Sequence, residues 1–493
     1  MSSTPPSEPG RTAAAAAIDR EPLPRRSRAG KVRAWGKRLL FEGLRRPLIL
    51  YARGRPRGRR VDGAPTVYIV LASAYGMGGT IRAALNLAGH LAQRHPVEVI
   101  SVYRYRRKSF FGAFPPGVKV TALDDRRRSV AARGSAGRLR KALRQVRSIL
   151  VHSHDTRIDE FNLLTDIQLV RKLRGLHGWL ITTRPGLNLL AAEIAPPGLV
   201  TIGQEQMHLG NHDRVIRRAM ARLYPRLDAL VALTDGDAGR YRELVGDGLR
   251  VVTIPNTVRA MPGPPADLGE KTVLAAGRFV HQKGFDLLLP AWAEVAAEHP
   301  DWRLRLCGSG SLKAELEAQV AELGLREAVA LQGPADMAEA MANASIFALS
   351  SRFEGFPLIL LEAMSKGMAV VSFDCPTGPG EIIDDHRDGI LVPPCDVEAF
   401  AAGLRELIED EELRRRCGAA AVATARQYTI EAVGARWDAL LEQLWRRHGE
   451  RRAADADGRP RASAPAPQPL PAAPATPEPL PEPPDGELEV AGR

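Results

Sequence analysis

Short apolar runs alternate with longer segments of helical periodicity along the chain from Thr66 onward. Brief runs rich in Val, Ile and Leu are typical of buried strands, whereas apolar residues three and four apart predict amphipathic helices. In the first half, the pattern predicts strands at 66–72, 97–103, 149–152, 179–183, 199–203 and 229–233, and helices at 80–94, 135–148, 157–173, 213–222 and 236–245. Such alternation predicts a parallel sheet with right-handed crossovers.

The alternation stops at 256–270, a segment rich in Pro and Gly that predicts a linker between two domains. It then restarts, with strands predicted at 272–276, 303–307, 329–332, 345–350, 369–374 and 389–392, and helices at 284–298, 312–323, 336–343, 357–366, 397–409 and 431–446. The predicted fold class is α/β, with two Rossmann-like, doubly wound domains in series. Because such sheets bind ligands at the carboxyl ends of their strands, we expect the two domains to face a central cleft.

The predicted domain boundaries follow from this pattern and from the composition of the two ends. An N-terminal domain is expected at 66–256, a C-terminal domain at 271–430, and a last helix at 431–448 that packs back on the N-terminal domain. Residues 1–30 are rich in Ala, Pro, Ser and Arg, and 452–493 are rich in Pro and Ala. Neither end has enough apolar residues to offset the entropy of ordering, so both are predicted to be disordered tails.

Positive charge is concentrated before the first domain. The net charge of the 493 residues is +12, and the segment 31–60 combines many Arg and Lys with apolar residues at near-helical spacing: Val32, Trp35, Leu39, Leu40 and Leu44. This pattern is typical of an amphipathic helix on an anionic membrane surface. A solvated basic arm, or a helix packed on the body of the protein, would give the same pattern.

Other features bear on location and cofactors. The sequence contains no apolar run of the roughly 18 residues that a membrane span needs, and no secretory signal is evident before residue 60. The four cysteines lack the spacing of metal ligands. We therefore expect a cytoplasmic protein, with peripheral contact to the inner face of the plasma membrane as an option, and no metal site.

Two cations flank glycines at the first strand-to-helix junction of the second domain. Gly277-Arg278 follows the strand 272–276, and Lys283-Gly284 opens the next helix. Glycines let backbone amides approach an anion, the start of a helix favours negative charge, and the cations add to it, so the junction suits a diphosphate. A surface turn with two solvated cations is the alternative.

Two carboxylates border a second such junction, in residues 354–362. Glu354 would lie in the loop after strand 345–350, where it can grip sugar hydroxyls. Pro357 is suited to the first turn of a helix that carries Glu362, which can hold ribose hydroxyls. The amides of residues 355–358 can cradle phosphate. A helix-capping Glu together with a solvated one is the alternative interpretation.

In order along the chain, these motifs resemble those of the family 4 retaining glycosyltransferases, which have the GT-B fold. The motifs are Gly277-Arg278 with Lys283-Gly284, Cys307-Gly308-Ser309-Gly310, Glu354 with Glu362, and Gly367-Met368-Ala369-Val370-Val371. The resemblance covers about 66–448, and the Gly-rich loop 76–80 agrees with it.

The resemblance implies roles for individual residues and no metal or cofactor besides the nucleotide-sugar donor. Arg278 and Lys283 would neutralise the diphosphate of the donor, which is the leaving group. Residues 332–337 would lie beside the nucleobase. The remaining donor contacts would come from Glu354, Gly355, Phe356 and Leu358 at the transferred sugar, Glu362 at the ribose, and Gly78 and Gly79, which let the first domain close near the phosphates.

The catalytic residue of the first domain is harder to predict. The family commonly places an acceptor-side polar residue or His after the strand predicted at 199–203, often in a short Glu-His pattern. Here Glu205 and His208 are three residues apart. His208 is the predicted residue, with a structural His as the alternative. Asp235 and Asp237 have the spacing of a metal-binding Asp-x-Asp, but helix capping after Thr234 is the favoured interpretation.

The segment 374–383 resembles members that build cell-surface polysaccharides, teichoic-type polymers or lipid-linked oligosaccharides, mostly from UDP-sugars. The predicted function is therefore transfer of a hexosyl or N-acetylhexosaminyl group from a UDP-sugar to such an acceptor. The shape of the pocket would depend on loops such as 104–117 and 184–198. Alternatives are a GDP-mannose-dependent mannosyltransferase acting on a phospholipid and a non-catalytic sugar-binding scaffold. Nucleic-acid binding is not expected, because no base-reading motif is present.

Overall fold

The computed structural model describes residues 43–54, 64–127, 135–259, 261–456 and 469–471. Residues 48–493 form one compact unit, which contains both sheets, and 1–47 form the other, of which 43–47 are described and helical. A helix, α1, covers 43–53. The rest of the basic segment, with Val32, Trp35, Leu39 and Leu40, lies outside the described residues, as does the predicted tail at 1–30.

The first sheet has seven parallel strands in the order β3-β2-β1-β4-β5-β6-β7. The strands are β1 (Thr66–Leu71), β2 (Val97–Arg104), β3 (Val118–Asp125), β4 (Gly178–Thr182), β5 (Leu199–Gln204), β6 (Ala229–Ala232) and β7 (Val251–Thr253). The helices between them are α2 (Gly79–Leu91), α3 (Ser135–Gln145), α4 (Leu163–Leu173), α5 (Pro185–Ile194), α6 (Arg214–Leu223) and α7 (Asp235–Val245).

The second sheet has six parallel strands in the order β10-β9-β8-β11-β12-β13. They are β8 (Thr272–Arg278), β9 (Arg303–Ser309), β10 (Val329–Gln332), β11 (Ile346–Leu349), β12 (Ala369–Phe373) and β13 (Ile390–Val392). The helices are α8 (Phe285–Glu298), α9 (Lys313–Glu322), α10 (Met337–Ala342), α11 (Leu358–Ser365), α12 (Pro379–Ile382), α13 (Val397–Glu409), α14 (Glu411–Arg426) and α15 (Ile430–Ala456).

Each sheet carries an apolar core on both faces, as parallel sheets with helical crossovers require. In the first sheet, successive strand residues alternate between the two cores: Tyr68 and Val70 of β1 lie in one, and Val67 and Ile69 in the other. The α4 side chains Leu169 and Leu173 line the first of these cores, and α2 lines the second. The predicted α/β class with two doubly wound sheets is confirmed.

The last helix, α15, packs against the first sheet although it follows the second in sequence. Its buried apolar residues are Val433, Trp437, Leu440, Leu441 and Leu444. Full burial of such side chains stabilises a fold by about 1.5–3 kcal/mol each. The indole Nε1 of Trp179 also donates to the Leu441 carbonyl at 3.0 Å.

The end of the chain differs from the predicted disordered tail in two places. The helix α15 continues to Ala456, beyond the predicted end at 448, so 452–456 are helical. Further along, Leu470 packs against the core that contains α15. A single Leu in a Pro- and Ala-rich stretch carries no periodic signal, which is why composition misses it. The rest of 457–493 lies outside the described residues.

Several elements differ from the pattern-based predictions. Residues 149–151 are buried, but 149–152 form no strand, because the backbone amides of Ile149 and Leu150 donate to the Asp166 carboxylate instead of to a neighbouring strand. The edge strand β3 was not predicted, since it contains several charged and polar residues and most of the strand is only partly buried. The short β7 and the helices α5, α12 and α14 were also missed. The helix α5 occupies most of 184–198, which was predicted as a loop.

No helix among the described residues combines the length and apolar character that crossing a bilayer requires.

Candidate active site

A buried ion pair joins the two strand-to-helix junctions of the second sheet. The Nζ of Lys283 lies 2.6 Å from Glu354 Oε1, and the side chains are 15% and 8% exposed. Lys283 ends a short 3-10 turn after β8, and Glu354 lies in the loop between β11 and α11. Because β8 and β11 are neighbouring parallel strands, their carboxyl ends bring these two residues together.

Further hydrogen bonds fix the Glu354 carboxylate. The Ser351 hydroxyl also donates to Oε1, at 2.6 Å. The hydrogen bonds from Lys283 and Ser351 therefore both end at Oε1, and Oε2 accepts no hydrogen bond from the described residues. The Glu354 backbone is held as well, since its amide donates to the Pro376 carbonyl and its carbonyl accepts from the Thr377 amide. The carboxylate thus has a fixed orientation and one oxygen available for a hydroxyl donor.

Gly284 makes this arrangement possible. Its φ is +63°, and a Cβ added there would lie 2.0 Å from the Ser350 carbonyl oxygen. Any other residue would push the loop that carries Glu354 away from Lys283. The glycine of the Lys283-Gly284 motif is therefore required by close packing rather than by contact with a ligand.

Glu362 lies on α11 and forms an ion pair with the first sheet's helix α2. Its Oε1 is 2.5 Å from Arg82 Nη1, and the Glu362 side chain is 6% exposed. Burial raises the pKa of Glu362, while the charge of Arg82 and its hydrogen bond partly offset that rise. The carboxylate predicted to bind ribose thus faces the junction between the domains and already has a cationic partner there.

The loop after β5 contacts the loop that carries Glu354. A Cβ added to Gly355 would lie 2.3 Å from the Gln206 carbonyl oxygen and 3.2 Å from Met207 Cα, so only glycine permits this approach. The Gln206 side chain exchanges two hydrogen bonds with Asn256 at the end of the first domain, at 2.9 and 3.3 Å. Gln206 therefore lies next to the predicted sugar-binding segment and is held in place from the linker.

The other predicted donor-binding residues surround the start of α11. Gly78 precedes α2 with a φ of +148°, and a Cβ added to Gly79 would lie 3.6 Å from Leu358 Cδ1. Phe356 packs with Tyr428, at 5.6 Å between ring centroids.

The Leu358 amide does not match the predicted phosphate cradle. It donates to the Phe356 carbonyl at 2.9 Å, because Pro357 bends the chain tightly just before α11 begins. Pro357 consequently lies at the cap of this helix and not in its first turn. Of the predicted cradle, the amides of Gly355 and Phe356 remain.

Arg278 lies near the ion pair but does not contact it. It ends β8 with an exposed side chain, and its Nη2 is 3.5 Å from Gln282 Oε1, at the limit of a hydrogen bond. Gln282 in turn donates to the Phe353 carbonyl at 3.0 Å. The guanidinium is therefore at the same edge of the sheet as Lys283 and free to turn towards an anion there. Residues 332–337 lie at the same edge, at the end of β10.

His208 lies on the same loop as Gln206, but the structure gives it protein partners. Its Nδ1 accepts from the Gly210 amide at 3.0 Å, and its Nε2 lies 2.8 Å from Arg240 Nη1. Burial lowers the pKa of His208, and the charges of Arg240 and His212 lower it further. The predicted catalytic role of His208 stays a prediction.

Glu205 lies beneath this loop in a buried polar cluster. It accepts from the Asn188 amide at 2.7 Å and from the Tyr224 hydroxyl, and its Oε2 is 3.6 Å from His212 Nε2. Burial disfavours the charged form of His212, but the contact with Glu205 outweighs it, so the pKa of His212 is raised. Asp237 lies close to this cluster, and burial of its own carboxyl raises the pKa of Asp237 to about 6. The cluster supports the loop from inside.

Asp235 and Asp237 belong to a helix start, as the capping interpretation predicts. Thr234 caps α7 by accepting from the Asp237 amide, and Asp237 accepts from the Leu209 amide. The start of α7 also has a partner in the other domain. The Glu381 carboxylate accepts from the backbone amides of Asp235 and Gly236 at 2.6 and 2.9 Å. The same carboxylate thus caps a helix of one domain from the other.

Sequence reasoning missed three residues that bridge the domains: Arg82, Gln206 and Glu381. Arg82 follows the Gly-rich loop and is an ordinary helical Arg in the sequence. Gln206 stands between the two residues considered for the first domain. Glu381 lies in 374–383, which was used only for resemblance. Each matters through a partner more than 100 positions away, a contact that local spacing does not reveal.

Two family models match the chain in succession. The description "Glycosyltransferase Family 4" covers 77–260, and "Glycosyl transferases group 1" covers 259–423. The boundary between the two matches falls in the segment that separates the two sheets.

Curated relatives include an exopolysaccharide phosphotransferase of Streptomyces coelicolor, 35% identical over 77% of this chain and 41% of the relative. Another is an alpha-1,4-N-acetyl-D-galactosaminyltransferase of Campylobacter jejuni, named for an undecaprenol-linked glycan, 26% identical over 74% of this chain and 96% of the relative. The chain spans 41%, 48% and 61% of the lengths of the first three curated relatives.

Among solved structures, a complex of Staphylococcus aureus TarM with Fondaparinux, alpha-GlcNAc-glycerol and UDP is similar, with a TM-score of 0.62 at 15% identity over 76% of this chain and 99% of TarM. The pneumococcal O-GlcNAc transferase GtfA with UDP and GlcNAc has a TM-score of 0.61 at 15% identity, over 78% of this chain and 99% of that protein. At such identities the likeness is one of fold.

Proposed function

Since the chain belongs to the family 4 glycosyltransferases of the GT-B fold, we propose that it transfers a hexosyl or N-acetylhexosaminyl group from a UDP-sugar, with retention of configuration. The acceptor would be a cell-envelope polysaccharide, a teichoic-type polymer or a lipid-linked glycan. The observation that carries this proposal is the largely buried Lys283–Glu354 pair, 2.6 Å between Nζ and Oε1, whose Glu354 lies in a loop that precedes the helix of Glu362 and contacts the loop of Gln206.

Lys283 would stabilise the leaving diphosphate. An ammonium group has three hydrogen-bond donors, and Glu354 takes one of them here. The others are available for phosphate oxygens, and Arg278 would add a second cation from the same sheet edge. Charge develops on the diphosphate as the glycosidic bond breaks, so cations that are already oriented lower the barrier.

Glu354 would hold the transferred sugar through Oε2, the oxygen that Ser351 and Lys283 leave available. Glu362 would hold the ribose, and the charge of Arg82 favours the ionised form of that carboxylate. Retention would follow from attack of the acceptor hydroxyl on the same face as the departing diphosphate, whose oxygen takes the proton. Neither carboxylate is then required as a nucleophile, so the roles found in retaining hydrolases do not apply.

No metal ion is proposed to take part. Lys283 and Arg278 would supply the positive charge that divalent ions supply elsewhere, and Asp235 and Asp237 are engaged in starting α7. We therefore expect transfer to continue in excess chelator.

The experiment that tests this proposal is a release assay with a panel of UDP- and GDP-sugars, with and without membranes. The expected product is UDP, together with a glycan in which the anomeric configuration of the donor is retained. Release of GDP from GDP-mannose would support the phospholipid mannosyltransferase instead. Release of UMP would indicate transfer of a phosphate-containing group instead, and the name of the Streptomyces relative is that of a phosphotransferase. Binding of donor without any release would support a sugar-binding scaffold.

A further inference from the structure

A basic cleft opens in the first domain next to the Gly-rich loop. Its volume is about 730 Å³, and it is lined by the end of β2, the loop 105–117 and the start of β3. Three of its lining residues are cations, Arg104, Arg107 and Lys108, and among the described residues no carboxylate lines it. This volume lies within the range of about 300–1,000 Å³ typical of ligand sites.

Aromatic side chains form the wall of this basic cleft. Tyr75 and Phe114 meet edge to face with ring centroids 5.4 Å apart, and the Arg104 guanidinium lies 4.3 Å from the centre of the Tyr75 ring. Arg104 also donates to the Arg106 carbonyl, which fixes the turn. The side chains of this wall therefore hold one another in place. They present apolar ring faces next to the positive charge of Arg104.

The nearby carboxylates are already neutralised. Asp125 at the end of β3 accepts from the Arg127 guanidinium, from Nε at 2.9 Å to Oδ1 and from Nη2 to Oδ2. Asp124 is paired with Arg126 and Arg144. By contrast, Arg107 and Lys108 are exposed, and within the described ranges neither has an ion pair. A cleft lined by one sign of charge concentrates ligands of the opposite sign.

The loop that lines the basic cleft contacts elements that border the candidate active site. Arg82, which pairs with Glu362, lies 5.8 Å from the centre of the Phe111 ring in the loop 105–117. A Cβ added to Gly76 would lie 3.1 Å from the Tyr105 hydroxyl. The loop that lines the cleft therefore adjoins both the Gly-rich loop and the residue facing the predicted ribose site.

We propose that the basic cleft binds a phosphate group carried by the acceptor glycan, with the neighbouring sugar against Tyr75 and Phe114. This inference rests on the proposed function and names the chemical class of its acceptor. Arg and Lys bind phosphate through charge-assisted hydrogen bonds, and three cations suit a diphosphate or successive phosphodiesters better than a single carboxylate. The phosphate can belong to a lipid-linked sugar diphosphate or to a phosphodiester polymer.

The test measures binding of three probes to the full chain saturated with UDP, which occupies the donor phosphate site. The probes are N-acetylglucosaminyl diphosphate on a short soluble alkyl chain, a glycerol phosphate hexamer, and the neutral alkyl N-acetylglucosaminide. We expect at least one anionic probe to bind about tenfold or more tightly than the neutral one, with an affinity that falls as salt rises. The better anionic probe identifies the source of the phosphate.

The variant for this test is R107E/K108E, which reverses two exposed charges of the cleft. It should weaken binding of the anionic probe by about tenfold or more and leave the affinity for UDP unchanged. The matched control is R138E/R171E, two exposed cations on α3 and α4; α4 packs on the opposite face of the sheet. It makes the same change in net charge and should bind the probes as the unaltered protein does.

Equal affinity for anionic and neutral probes would overturn the inference, and so would undiminished binding by R107E/K108E. These outcomes are separable from failure of the proposed function. If UDP does not bind to the unaltered protein, the donor proposal fails, while the anionic probes tested without UDP still report on the cleft.

Discussion

The two domains contribute to the candidate site in different ways. In the C-terminal domain the important contacts are made within the domain: Lys283, Ser351 and Glu354 hold one another through two hydrogen bonds of 2.6 Å. In the N-terminal domain they are made across the boundary, by Arg82 and Gln206 towards α11 and its loop. One domain thus carries the preorganised part of the proposed donor site, and the other adjoins it by contact. The predictions below test this division.

The largest effect is expected for Lys283→Ala. Removal of a charge that stabilises the leaving group should lower turnover by about a hundredfold or more. Lys283→Arg, which keeps the charge, should retain more activity. The measurement is turnover at saturating donor, beside the thermal unfolding temperature, because the variant also leaves Glu354 buried without its cation.

Lys313→Ala is the control for this variant, since Lys313 forms only an exposed pair with Glu317 on α9. Near-normal turnover of a folded Lys283→Ala protein would contradict the role of Lys283.

Donor binding should depend on pH through Glu362. Burial raises the pKa of this carboxyl, so the protonated form persists to higher pH than in an exposed Glu. If the ionised form holds the ribose, affinity for UDP should fall as pH decreases through that pKa. Arg82→Ala removes the offsetting charge, so it should move this fall to higher pH and weaken binding by about tenfold near its midpoint.

The dissociation constant of UDP across pH measures this effect, with Arg171→Ala on α4 as the control. A pH profile that does not change in Arg82→Ala would argue against coupling between the domains at Glu362.

A smaller effect is expected for Glu381→Ala. This carboxylate caps α7 from the other domain, and loss of a helix cap costs about 1 kcal/mol. The loss should lower the unfolding temperature of the N-terminal domain by about 2 °C and reduce the cooperativity between the domains in calorimetry. Glu381→Gln keeps one acceptor oxygen, so its unfolding temperature should lie between those of the unaltered protein and Glu381→Ala. An unchanged transition would mean that the domains do not stabilise each other here.

The smallest effects on turnover are expected for substitutions of Gln206 and His208, and their comparison shows which of the two residues contributes more. Gln206 adjoins Gly355 and is held by Asn256, so Gln206→Ala should lower turnover by about threefold, in keeping with one lost hydrogen-bonding side chain. His208 Nδ1 already accepts from the Gly210 amide and Nε2 lies beside Arg240, so His208→Gln should change turnover less than Gln206→Ala does. Steady-state kinetics with saturating acceptor would decide, and a much larger loss for His208→Gln would support the predicted catalytic role of His208.

The sequence alone determined the architecture, and it predicted which residues of the second sheet lie together in the candidate site. Strand and helix periods are local properties, and the motifs around Lys283 and Glu354 lie on neighbouring strands of one sheet, so strand order suffices to bring them together. Even so, the apolar run 149–152 shows that hydrophobicity does not specify pairing, because a carboxylate from α4 satisfies its amides.

Only the tertiary structure decided which residues join the domains. The pairs Arg82 with Glu362, Gln206 with Gly355 and Glu381 with the start of α7 connect positions more than 100 apart in the chain. Their formation depends on how the two sheets and their helices pack against each other, and no local period or spacing encodes that. The same holds for the basic cleft, whose cations look like ordinary surface charge in the sequence, because only the fold places them beside Tyr75 and Phe114.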